Sequence, residues 1–546
     1  MKSLPIGIQD FKVIRDGDKY FVDKSMLIGQ IIEQNDSGVF LYTRPRRFGK
    51  SLNLSMIDAF FNIEYKGNKW FDGLEISNHP EYNAYRNVFP VITFDFKMPD
   101  VQDFERFIWR FNQNLIQLFR HFNYLVDSPN LDEASKDLFK KLYSGEKNIA
   151  ESEYALTHLC TLLEIHHGAK VIVLLDEYDS VMNGITDPEL RREILSFMRG
   201  VLSPLLKGNS SLQMGVVTGI MQIAKENIFS GLNNLYVNNI LSERFDEMYG
   251  FTDDEVRQIC TDYGHPEKFE EAKEWYDGYR FGNADIYNPW SILNYVSDGF
   301  KARPYWVNTS SNSIVSDLLS QADDMVIENL GKLGSGEGIV APIKTTVTFE
   351  ELSNDPELIY SMMAVSGYLK AIPRGSRYLL SLPNRELYSV FAEMISDHMF
   401  QDSGDMHGCL QDFCDAIVTN DVSMMEKSLY ELVVRTVSSR VLNDEHSYQA
   451  FIAGLLMTLS GRYSITADFE SGKGYYDIRM ERRVGSGYNV IMELKRSDSE
   501  DSLPADAEKA MTQIRERDYA HGLEGRTILY GISFYGKVPH IISDMI

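Results

Sequence analysis

The chain has 546 residues, which is too long for one hydrophobic core, so we expect two to four domains. Hydrophobic residues make up 44% and charged residues 24% of the sequence, as in soluble globular proteins. No stretch approaches the roughly 20 apolar residues that cross a bilayer, and the N-terminus has no apolar signal core. The net charge of −25 argues against a broad basic surface that coats nucleic acid. The four cysteines form no CxxC pair, so we expect reduced thiols in a cytoplasmic protein.

The N-terminal half alternates predicted strands with predicted helices. In chain order we expect a strand at 38–43, a helix at 51–61, a strand at 91–96, a helix at 103–125, a strand at 170–177, a helix at 187–206 and a strand at 212–218. The run at 171–175 is continuously apolar and ends in acids, which is typical of a strand buried on both faces. This alternation predicts a parallel sheet with helices on both faces, extending to about Asp246.

The C-terminal half follows a different pattern. Residues 250–330 are predicted to be mostly helical, with turn-rich stretches at 276–282 and 287–290. A glycine-rich break at 331–338 marks a domain boundary. Residues 350–440 are predicted to form amphipathic helices with a short sheet near 366–382. From about 441 onward the pattern predicts a helix, a hairpin, a helix and a strand.

The first chemical motif, Arg44-Pro-Arg-Arg-Phe-Gly-Lys-Ser51, lies between a predicted strand and a predicted helix, as a phosphate-binding loop requires. Glycine allows the backbone close to phosphate, the lysine can reach the β- and γ-phosphates, and the serine hydroxyl can ligate Mg²⁺. Nucleotide contacts are expected from Arg47, Phe48, Gly49, Lys50, Ser51 and Leu52. Arg44 occupies the first glycine position of the usual GxxxxGK[ST] form. The alternative is a basic turn that caps a helix without binding phosphate.

Two acids end the apolar strand at 170–177, in the order that a nucleotide-hydrolysing site requires. Asp176 would hold the Mg²⁺ shell, and Glu177 would polarise the attacking water. The strand at 212–218 places Thr218 where it could contact the γ-phosphate. Arg244 and Arg280 are candidate charge-stabilising arginines, although a structural role is favoured for both. Considered without the phosphate loop, the two acids could equally be ordinary solvent-exposed residues at the end of a strand.

Asp477, Glu493 and Lys495 form a second candidate site. The segments 474–480 and 488–495 are predicted strands joined by a glycine-rich turn. Residues two apart share a strand face, so the glutamate and the lysine point the same way, and strand pairing would bring the aspartate beside them. Two carboxylates can hold Mg²⁺, which activates water, while the lysine orients the hydroxide. Glu445, at the start of a preceding helix, could add a carboxylate. The alternative is an exposed hairpin with ordinary charged residues.

Residues from about 4 to 310 resemble the bacterial AAA-ATPase-like family that has a PRRFGKS phosphate loop. Besides the loop, the matching segments are Tyr20-Phe-Val-Asp-Lys24, Leu175-Asp-Glu-Tyr-Asp179, Thr218-Gly-Ile220, Phe229-Ser-Gly-Leu-Asn-Asn234, Gly250-Phe-Thr252, Tyr276-Asp-Gly-Tyr-Arg-Phe-Gly282 and Tyr287-Asn-Pro-Trp290. The resemblance implies a P-loop fold with an additional strand, and ATP as the nucleotide. Because the arginine-rich loop belongs to the family pattern, Arg44 is expected there.

Residues 440–540 resemble the PD-(D/E)XK nuclease superfamily, in a branch often fused to this ATPase family. The matching residues are Asp477 for the metal aspartate, Glu493 and Lys495 for the ExK pair, Glu445 for the helix acid, and Gln513 and Tyr519 for the following helix motif. The resemblance implies a metal-dependent phosphodiesterase. The alternative that it leaves open is a nuclease fold that has lost activity.

Together these features predict an α/β protein with a P-loop parallel-sheet ATPase domain, a helical middle region and a small α/β/α PD-(D/E)XK nuclease-like domain. The expected boundaries are 1–246 for the ATPase core, 247–335 for a helical lid or winged-helix-like region, 336–440 for a helical linker region and 441–546 for the nuclease-like domain. The predicted function is ATP binding and hydrolysis with a Mg²⁺-dependent phosphodiesterase acting on DNA or RNA. ATP and Mg²⁺ are the expected cofactors, and no membrane is expected as a partner. One alternative is an ATP-dependent switch with an inactive nuclease-like domain that binds a protein partner or nucleic acid without cutting; another is a ring-shaped motor. A homo-oligomer is a further alternative.

Overall fold

A computed structural model of the chain describes most of the sequence. The described residues are 1–34, 38–98, 101–144, 147–182, 185, 187–223, 229, 234–306, 324–334, 336–347, 355, 357–388, 391, 404–436, 445–456, 459, 462–471, 474–482 and 487–546. Parts of five segments named above lie outside these residues: 230–233 in the family motif at 229–234, 307–323 in the predicted helical region 250–330, residue 335 in the glycine-rich break, several stretches of 350–440, and 484–486 in the turn between the site strands.

The described residues form both helices and strands along the whole chain. The helices are α1 (Phe11–Asp16), α2 (Met26–Glu33), α3 (Lys50–Phe61), α4 (Phe104–His121), α5 (Glu133–Tyr143), α6 (Ile149–His167), α7 (Pro188–Leu206), α8 (Asp253–Asp262), α9 (Phe269–Tyr276), α10 (Pro289–Ser297), α11 (Asp324–Gly334), α12 (Leu358–Ser366), α13 (Gly404–Thr419), α14 (Val422–Thr436), α15 (Glu445–Leu456) and α16 (Leu503–Arg517). The strands are β1 (Val39–Thr43), β2 (Val91–Asp95), β3 (Val171–Asp176), β4 (Leu212–Gly219), β5 (Gln222–Ile223), β6 (Leu235–Asn238), β7 (Tyr279–Phe281), β8 (Ala284–Ile286), β9 (Ile339–Ala341), β10 (Thr346–Val347), β11 (Lys370–Arg374), β12 (Arg377–Ser381), β13 (Tyr463–Ser471), β14 (Gly474–Arg482), β15 (Asn489–Arg496), β16 (Thr527–Tyr535) and β17 (Val538–Met545).

The chain divides into two compact units. The first comprises Met1–Tyr305 together with Ile343–Leu369, and the second comprises Lys370–Ile546 together with a preceding segment that ends at Pro342. The chain therefore returns to the first unit through 343–369 before it completes the second. The division into four regions stays a prediction.

A five-stranded sheet forms the centre of the first unit. Its order is β2-β3-β4-β1-β6, and every neighbouring pair is parallel. All five residues of β1 and all six of β3 are buried, as expected for inner strands with helices on both faces. The predicted parallel α/β sheet is confirmed, and β4 is the additional strand between β1 and β3 that the family resemblance implied. The edge strand β6 was not predicted from the sequence.

Local signals explain where the helices of this unit begin. Helix α6 starts with a capping box in which Asn148 and Glu151 exchange side-chain and backbone hydrogen bonds. The Asp187 side chain caps α7 by accepting from the Glu189 amide, and a proline occupies the first helical position. Helix α3 has no such side-chain cap, and it begins after Gly49. Its N-terminal amide groups are therefore not satisfied by a capping side chain, as is usual where a helix start binds phosphate.

The rest of the first unit after the sheet contains α8, α9 and α10 and a short hairpin. The hairpin pairs β7 with β8 antiparallel, and it lies within the stretch that the sequence marked as turn-rich. A separate apolar core forms around Val256, Ile259, Tyr276, Ile292 and Tyr295. Short parallel pairing also joins β5, which follows β4 in the chain, to β10 in the returning segment.

The second unit contains a five-stranded mixed sheet of order β13-β14-β15-β16-β17. Only the β15–β16 pair is parallel, and α16 makes the crossover between these two strands. The predicted antiparallel pairing of the two site strands is present as β14–β15. The first strand β13 and the last strand β17 extend the sheet beyond the single hairpin and strand that the sequence suggested. A smaller antiparallel sheet has the order β11-β12-β9.

The mixed sheet is covered on both faces. On one face Val490, Met492 and Leu494 pack in a core with residues of α13, α14 and α15. On the other face Ile491 packs with Met511 and other α16 residues. Because side chains alternate along a strand, Glu493 and Lys495 lie on the same face of the sheet as Ile491. The α/β/α arrangement predicted for this region is thus observed.

Among the described residues, no helix is both long and apolar enough to cross a membrane.

Candidate nucleotide and nuclease sites

The arginine-rich loop connects β1 to α3 in the manner of a phosphate-binding loop. Gly49 adopts φ +82°, a left-handed conformation that glycine accepts without steric cost. Its carbonyl accepts the amide of Asn53 at 2.9 Å, which is the first turn of α3. Ser51 and Leu52, both half-buried, lie in that first turn. The loop therefore leads directly into the helix N-terminus, where backbone N–H groups are available to an anion.

Arg44 is buried, which explains why an arginine replaces the first glycine of the motif. Its guanidinium donates to the carbonyl of Thr43 at 2.9 Å and to the carbonyl and side-chain oxygens of Asn238 at 3.2 and 2.6 Å. The ring of Tyr249 lies 5.1 Å from its guanidinium carbon. Burial lowers the pKa of Arg44 to about 10. The side chain thus anchors the loop to β6, and it does not point to solvent.

Lys50 lies over the loop and is only 8% exposed. Its Nζ donates to the carbonyl oxygens of Arg44 and Pro45, each at 2.9 Å. Burial lowers the pKa of Lys50, and the nearby carboxylates of Asp176 and Glu177 oppose that shift. The ammonium group is consequently held between the loop carbonyls and the acidic end of β3, which is the region where phosphates would bind.

The structure brings Asp176 and Thr218 together across neighbouring strands. The Thr218 hydroxyl donates to Asp176 Oδ1, and the same oxygen accepts the backbone amide of Glu177 at 3.0 Å. Glu177 has φ +50°, an uncommon conformation for a residue with a side chain. The two acids and Thr218, predicted to contact the γ-phosphate, therefore lie at the carboxyl ends of β3 and β4, beside the loop. Ligands bind at this edge of parallel sheets.

Two of the family segments pack against the loop side chains. Phe48 is buried and contacts Tyr279 and Phe281 at ring distances of 4.9 and 5.0 Å. The guanidinium of Arg47 lies 4.4 Å from the centre of the Trp290 ring. The segments 276–282 and 287–290 thus help to shape the loop, although they are more than 200 residues away in the sequence.

The two arginines proposed as charge-stabilising groups point elsewhere. Arg244 donates to the side-chain oxygen of Gln34. Arg280 contacts Asp285 across the β7–β8 hairpin at 3.5 Å. These contacts agree with the structural role that the sequence favoured for both.

In the second unit, Asp477 and Glu493 lie on adjacent strands. The β14–β15 ladder pairs Ile478–Met480 with Val490–Met492, and just beyond it Asp477 Oδ2 accepts the backbone amide of Leu494 at 2.7 Å. The Asp477 carboxylate therefore replaces a ladder hydrogen bond at the position next to Glu493. The predicted juxtaposition of the two carboxylates is present.

Glu493 is 1% exposed, and its two carboxylate oxygens have different surroundings. Oε1 lies 3.2 Å from Lys495 Nζ. Oε2 is buried and has no hydrogen-bond partner within the described part of the chain. Burial and the neighbouring Asp477 carboxylate raise the pKa of Glu493 to about 7, although Lys495 opposes the shift. A proton or a cation at Oε2 would relieve the cost of this buried acceptor.

Lys495 forms ion pairs with both Glu493 and Glu445. Its Nζ lies 3.6 Å from Glu445 Oε2, while Glu445 Oε1 accepts the backbone amide of Arg496 at 3.2 Å. Burial lowers the pKa of Lys495, but the two glutamates outweigh it and the net shift is upward. Across the described residues, no group of three or more His, Cys, Asp or Glu side chains forms a metal-binding cluster. Glu445 thus forms an ion pair with Lys495, and its role as a metal ligand stays a prediction.

Comparison with known families matches an N-terminal and a C-terminal part of the chain. Residues 5–229 match an AAA-ATPase-like family described as "Predicted AAA-ATPase". Residues 443–543 match a family of the PD-(D/E)XK nuclease superfamily. The chain joins an AAA-ATPase-like domain to a PD-(D/E)XK nuclease-superfamily domain. A relative from Azotobacter chroococcum mcd 1, described as an uncharacterized protein in the vnfD 5′ region, is 27% identical over 399 residues, covering 72% of this chain and 70% of the relative.

The AAA-ATPase-like domain has one site residue that the sequence analysis did not single out. Asp179 is buried, and its Oδ2 accepts the backbone amides of Ile220 and Met221, each at 2.9 Å. Burial raises the pKa of Asp179. The carboxylate therefore ties the end of β3 to the turn that follows Thr218. The sequence signal that could have identified Asp179 was the family segment at 175–179, which ends at this aspartate.

Three further residues of the nuclease-superfamily domain lie near its candidate site, one of which was not predicted. Gln449 on α15 donates to the backbone carbonyl of Asp477 at 2.8 Å and was not predicted. Gln513 donates to the hydroxyl of Tyr519 at 3.2 Å. Tyr519 is buried, which raises the pKa of its hydroxyl, and the Glu493 and Asp477 carboxylates add to that effect. The helix motif thus lies near the two carboxylates.

Proposed function

We propose that the AAA-ATPase-like domain binds and hydrolyses ATP, and that the nuclease-superfamily domain is a Mg²⁺-dependent phosphodiesterase acting on DNA or RNA. The observation that supports the second half most strongly is the buried Glu493 beside Asp477, with Lys495 on one carboxylate oxygen and the other oxygen without a partner among described groups. The four cysteines are free thiols, which supports the cytoplasm as the proposed location.

At the nucleotide site, ATP would bind across the loop and the carboxyl ends of β3 and β4. Lys50 would exchange its two loop carbonyls for phosphate oxygens, while the amides at the start of α3 bind the phosphates. Ser51 and Asp176 would hold the Mg²⁺ that accompanies ATP, and Glu177 would take the proton of the attacking water. Thr218, hydrogen-bonded to Asp176, would report the state of the γ-phosphate to β4.

At the nuclease site, the donor set fits a divalent cation. Asp477 and Glu493 supply carboxylate oxygens, the ligands that Mg²⁺ prefers, and the unpartnered Glu493 Oε2 is a buried acceptor that a cation would satisfy. When bound, the cation would lower the pKa of water and offset phosphate charge. Lys495 would orient the nucleophile near the scissile phosphate, and Gln449 would hold the backbone of Asp477 in place. Glu445 would keep the lysine charged and positioned.

Cleavage assays test the nuclease proposal. Wild type and Asp477→Ala would be incubated with linear, circular and single-stranded DNA, with Mg²⁺ or Mn²⁺, with and without ATP. We expect metal-dependent cutting by wild type that disappears in the variant. For the ATPase half, Lys50→Ala should abolish ATP binding in a direct calorimetric titration; unchanged affinity would refute the nucleotide site.

A switch without cleavage is the second candidate function. Lys495 is engaged by Glu445 and Glu493, and no three-carboxylate cluster exists among described residues, an arrangement that also suits a domain that binds without cutting. The net charge of −25 favours a protein partner or a second copy over extended nucleic acid. No cutting by wild type under any condition, with ATP still bound, would favour this function.

A further inference from the structure

Arg47 adopts a backbone conformation that its side chain makes unfavourable. Its φ of +69° lies in the left-handed region, which glycine adopts without steric cost but which is strained for a residue with a side chain such as arginine. Phosphate loops commonly use glycine at such positions because it also lets the backbone approach the ligand. Strain of this kind persists where surrounding contacts hold it, and an outlier in a site is a reason to ask what the side chain does.

The Arg47 guanidinium contacts one aromatic ring and lies within electrostatic range of one acid of the nucleotide site. It lies 4.4 Å from the centre of the Trp290 ring, on the N-terminal turn of α10. Partial burial lowers its pKa, and the Glu177 carboxylate, which is within electrostatic range, opposes that shift. The cation is therefore held on an aromatic face beside the acid that would take the proton of the attacking water.

Three other arginines of this unit make structural contacts. Arg44 is buried and bonded to Asn238, Arg244 donates to Gln34, and Arg280 contacts Asp285. Arg47 differs from these three because it lies over an aromatic ring and within electrostatic range of a candidate catalytic acid. Transfer of a phosphoryl group needs positive charge on the equatorial oxygens, which many P-loop enzymes receive from an arginine.

We infer that Arg47 contacts the γ-phosphate of bound ATP and supplies this charge from within the phosphate loop itself, with Trp290 as the positioning residue. The inference rests on the proposed ATP hydrolysis. In that reaction the water oxygen bonds to the γ-phosphorus while the bond from this phosphorus to the β–γ bridging oxygen breaks, and its electron pair leaves with ADP. The proton of water passes to Glu177 and then to solvent. Arg47 forms and breaks no covalent bond; it stabilises charge.

The test compares Arg47→Gly with Arg47→Lys in the full-length chain. Glycine removes the backbone strain along with the charge, so a residue whose only role is to fit this left-handed conformation would be replaced without loss, whereas loss of the Trp290 contact would lower the unfolding temperature. Because these two effects oppose each other, we expect Arg47→Gly to unfold near the wild-type temperature and to keep its ADP affinity within about threefold, while kcat falls about 100-fold or more. Arg47→Lys should retain part of kcat, and added guanidinium chloride at low millimolar concentration should partly restore turnover by Arg47→Gly.

Several outcomes would overturn the inference. Wild-type kcat in Arg47→Gly would contradict it, and so would a loss of kcat that comes with an equal loss of ADP affinity and no rescue by guanidinium. Specific activity that rises with protein concentration would point to an arginine from a neighbouring subunit instead. If the wild type binds ATP but never turns it over, the proposed function fails and this role fails with it. Normal turnover in both wild type and Arg47→Gly refutes the role of Arg47 alone.

Trp290→Leu gives an independent readout. If the ring positions the guanidinium, its loss should lower kcat and leave Arg47→Gly with no further decrease when the two changes are combined. Additive decreases would show that Trp290 acts on something other than Arg47.

Discussion

Glu493 and Lys495 form an ion pair that involves only one of the two carboxylate oxygens of the glutamate. The lysine Nζ lies 3.2 Å from Glu493 Oε1, and the opposite oxygen of the same buried carboxylate has no hydrogen-bond partner in the described residues. The pKa of this glutamate is raised to about 7 by burial and by Asp477. Such a group is half protonated near neutral pH, and only its ionised form can bind a cation well.

Metal binding to the nuclease-superfamily domain should therefore depend on pH. Because Glu493 must lose its proton, Mn²⁺ affinity should fall about tenfold per pH unit as the pH drops below 7, and level off above it. Isothermal titration of Mn²⁺ between pH 5.5 and 8.5, as an assay range around the pKa of about 7, would measure this. Glu493→Gln should bind weakly at every pH. An affinity that stays constant across the range would contradict the account.

Removing the lysine should move that pH midpoint upward. Lys495 favours the ionised form of Glu493, so Lys495→Met should raise the pKa of the glutamate further and shift the Mn²⁺ titration to higher pH. Lys509→Met is a matched control, since Lys509 is exposed and pairs with Asp506 on α16. The control should titrate like wild type. An unchanged or lowered midpoint in Lys495→Met would show that the pair is not coupled as described.

Restoring the usual glycine at position 44 should destabilise the AAA-ATPase-like domain. Arg44→Gly leaves the buried oxygens of Asn238 without their donor and opens a cavity beside Tyr249. We expect a loss of about 3 kcal/mol in the free energy of unfolding. Chemical denaturation followed by circular dichroism would measure it. Arg244→Ala, at an exposed arginine, should change stability by less than about 0.5 kcal/mol. Equal effects of the two substitutions would contradict the anchoring role.

The contact between Thr218 and Asp176 should matter more for turnover than for binding. Thr218→Val keeps the shape of the side chain and removes the hydroxyl that orients Asp176 Oδ1. We expect kcat for ATP to fall about tenfold or more, with ATP affinity changed by less than about threefold. Thr93→Val on β2, where the threonine is exposed, serves as the control. A variant with normal kcat would remove Thr218 from the mechanism.

Local patterns predicted the elements that build both sites. The continuous apolar run ending in Asp176 became β3, and the loop with Gly49 leads into α3, because burial on both faces and phosphate-loop geometry leave clear marks in sequence. The short edge strand β6 was missed, since its four residues are mostly half-buried and show no strong period. Strand β17 was missed in part because it contains Pro539, which suits an edge strand.

Long-range partners could not be predicted from one sequence. Arg44 donates to Asn238, which is 194 positions away in the sequence. Arg47 contacts Trp290 on α10, which is also remote from the loop in the sequence. Gln449 acts on a backbone carbonyl, a contact that leaves no residue-type pattern at Asp477. In contrast, the pairing of Asp477 with Glu493 followed from strand alternation and from two neighbouring strands, and its geometry is present in the structure.

Cleavage of one linear DNA by three proteins tests the central claim most directly. Wild type, Asp477→Ala and Glu481→Ala would be assayed with Mn²⁺ at pH 8; Glu481 is an exposed acid on the same strand β14 and controls for loss of charge. The account predicts cutting by wild type and by Glu481→Ala, and none by Asp477→Ala. Equal cutting by all three proteins, or none by wild type, would contradict a hydrolytic centre at Asp477, Glu493 and Lys495.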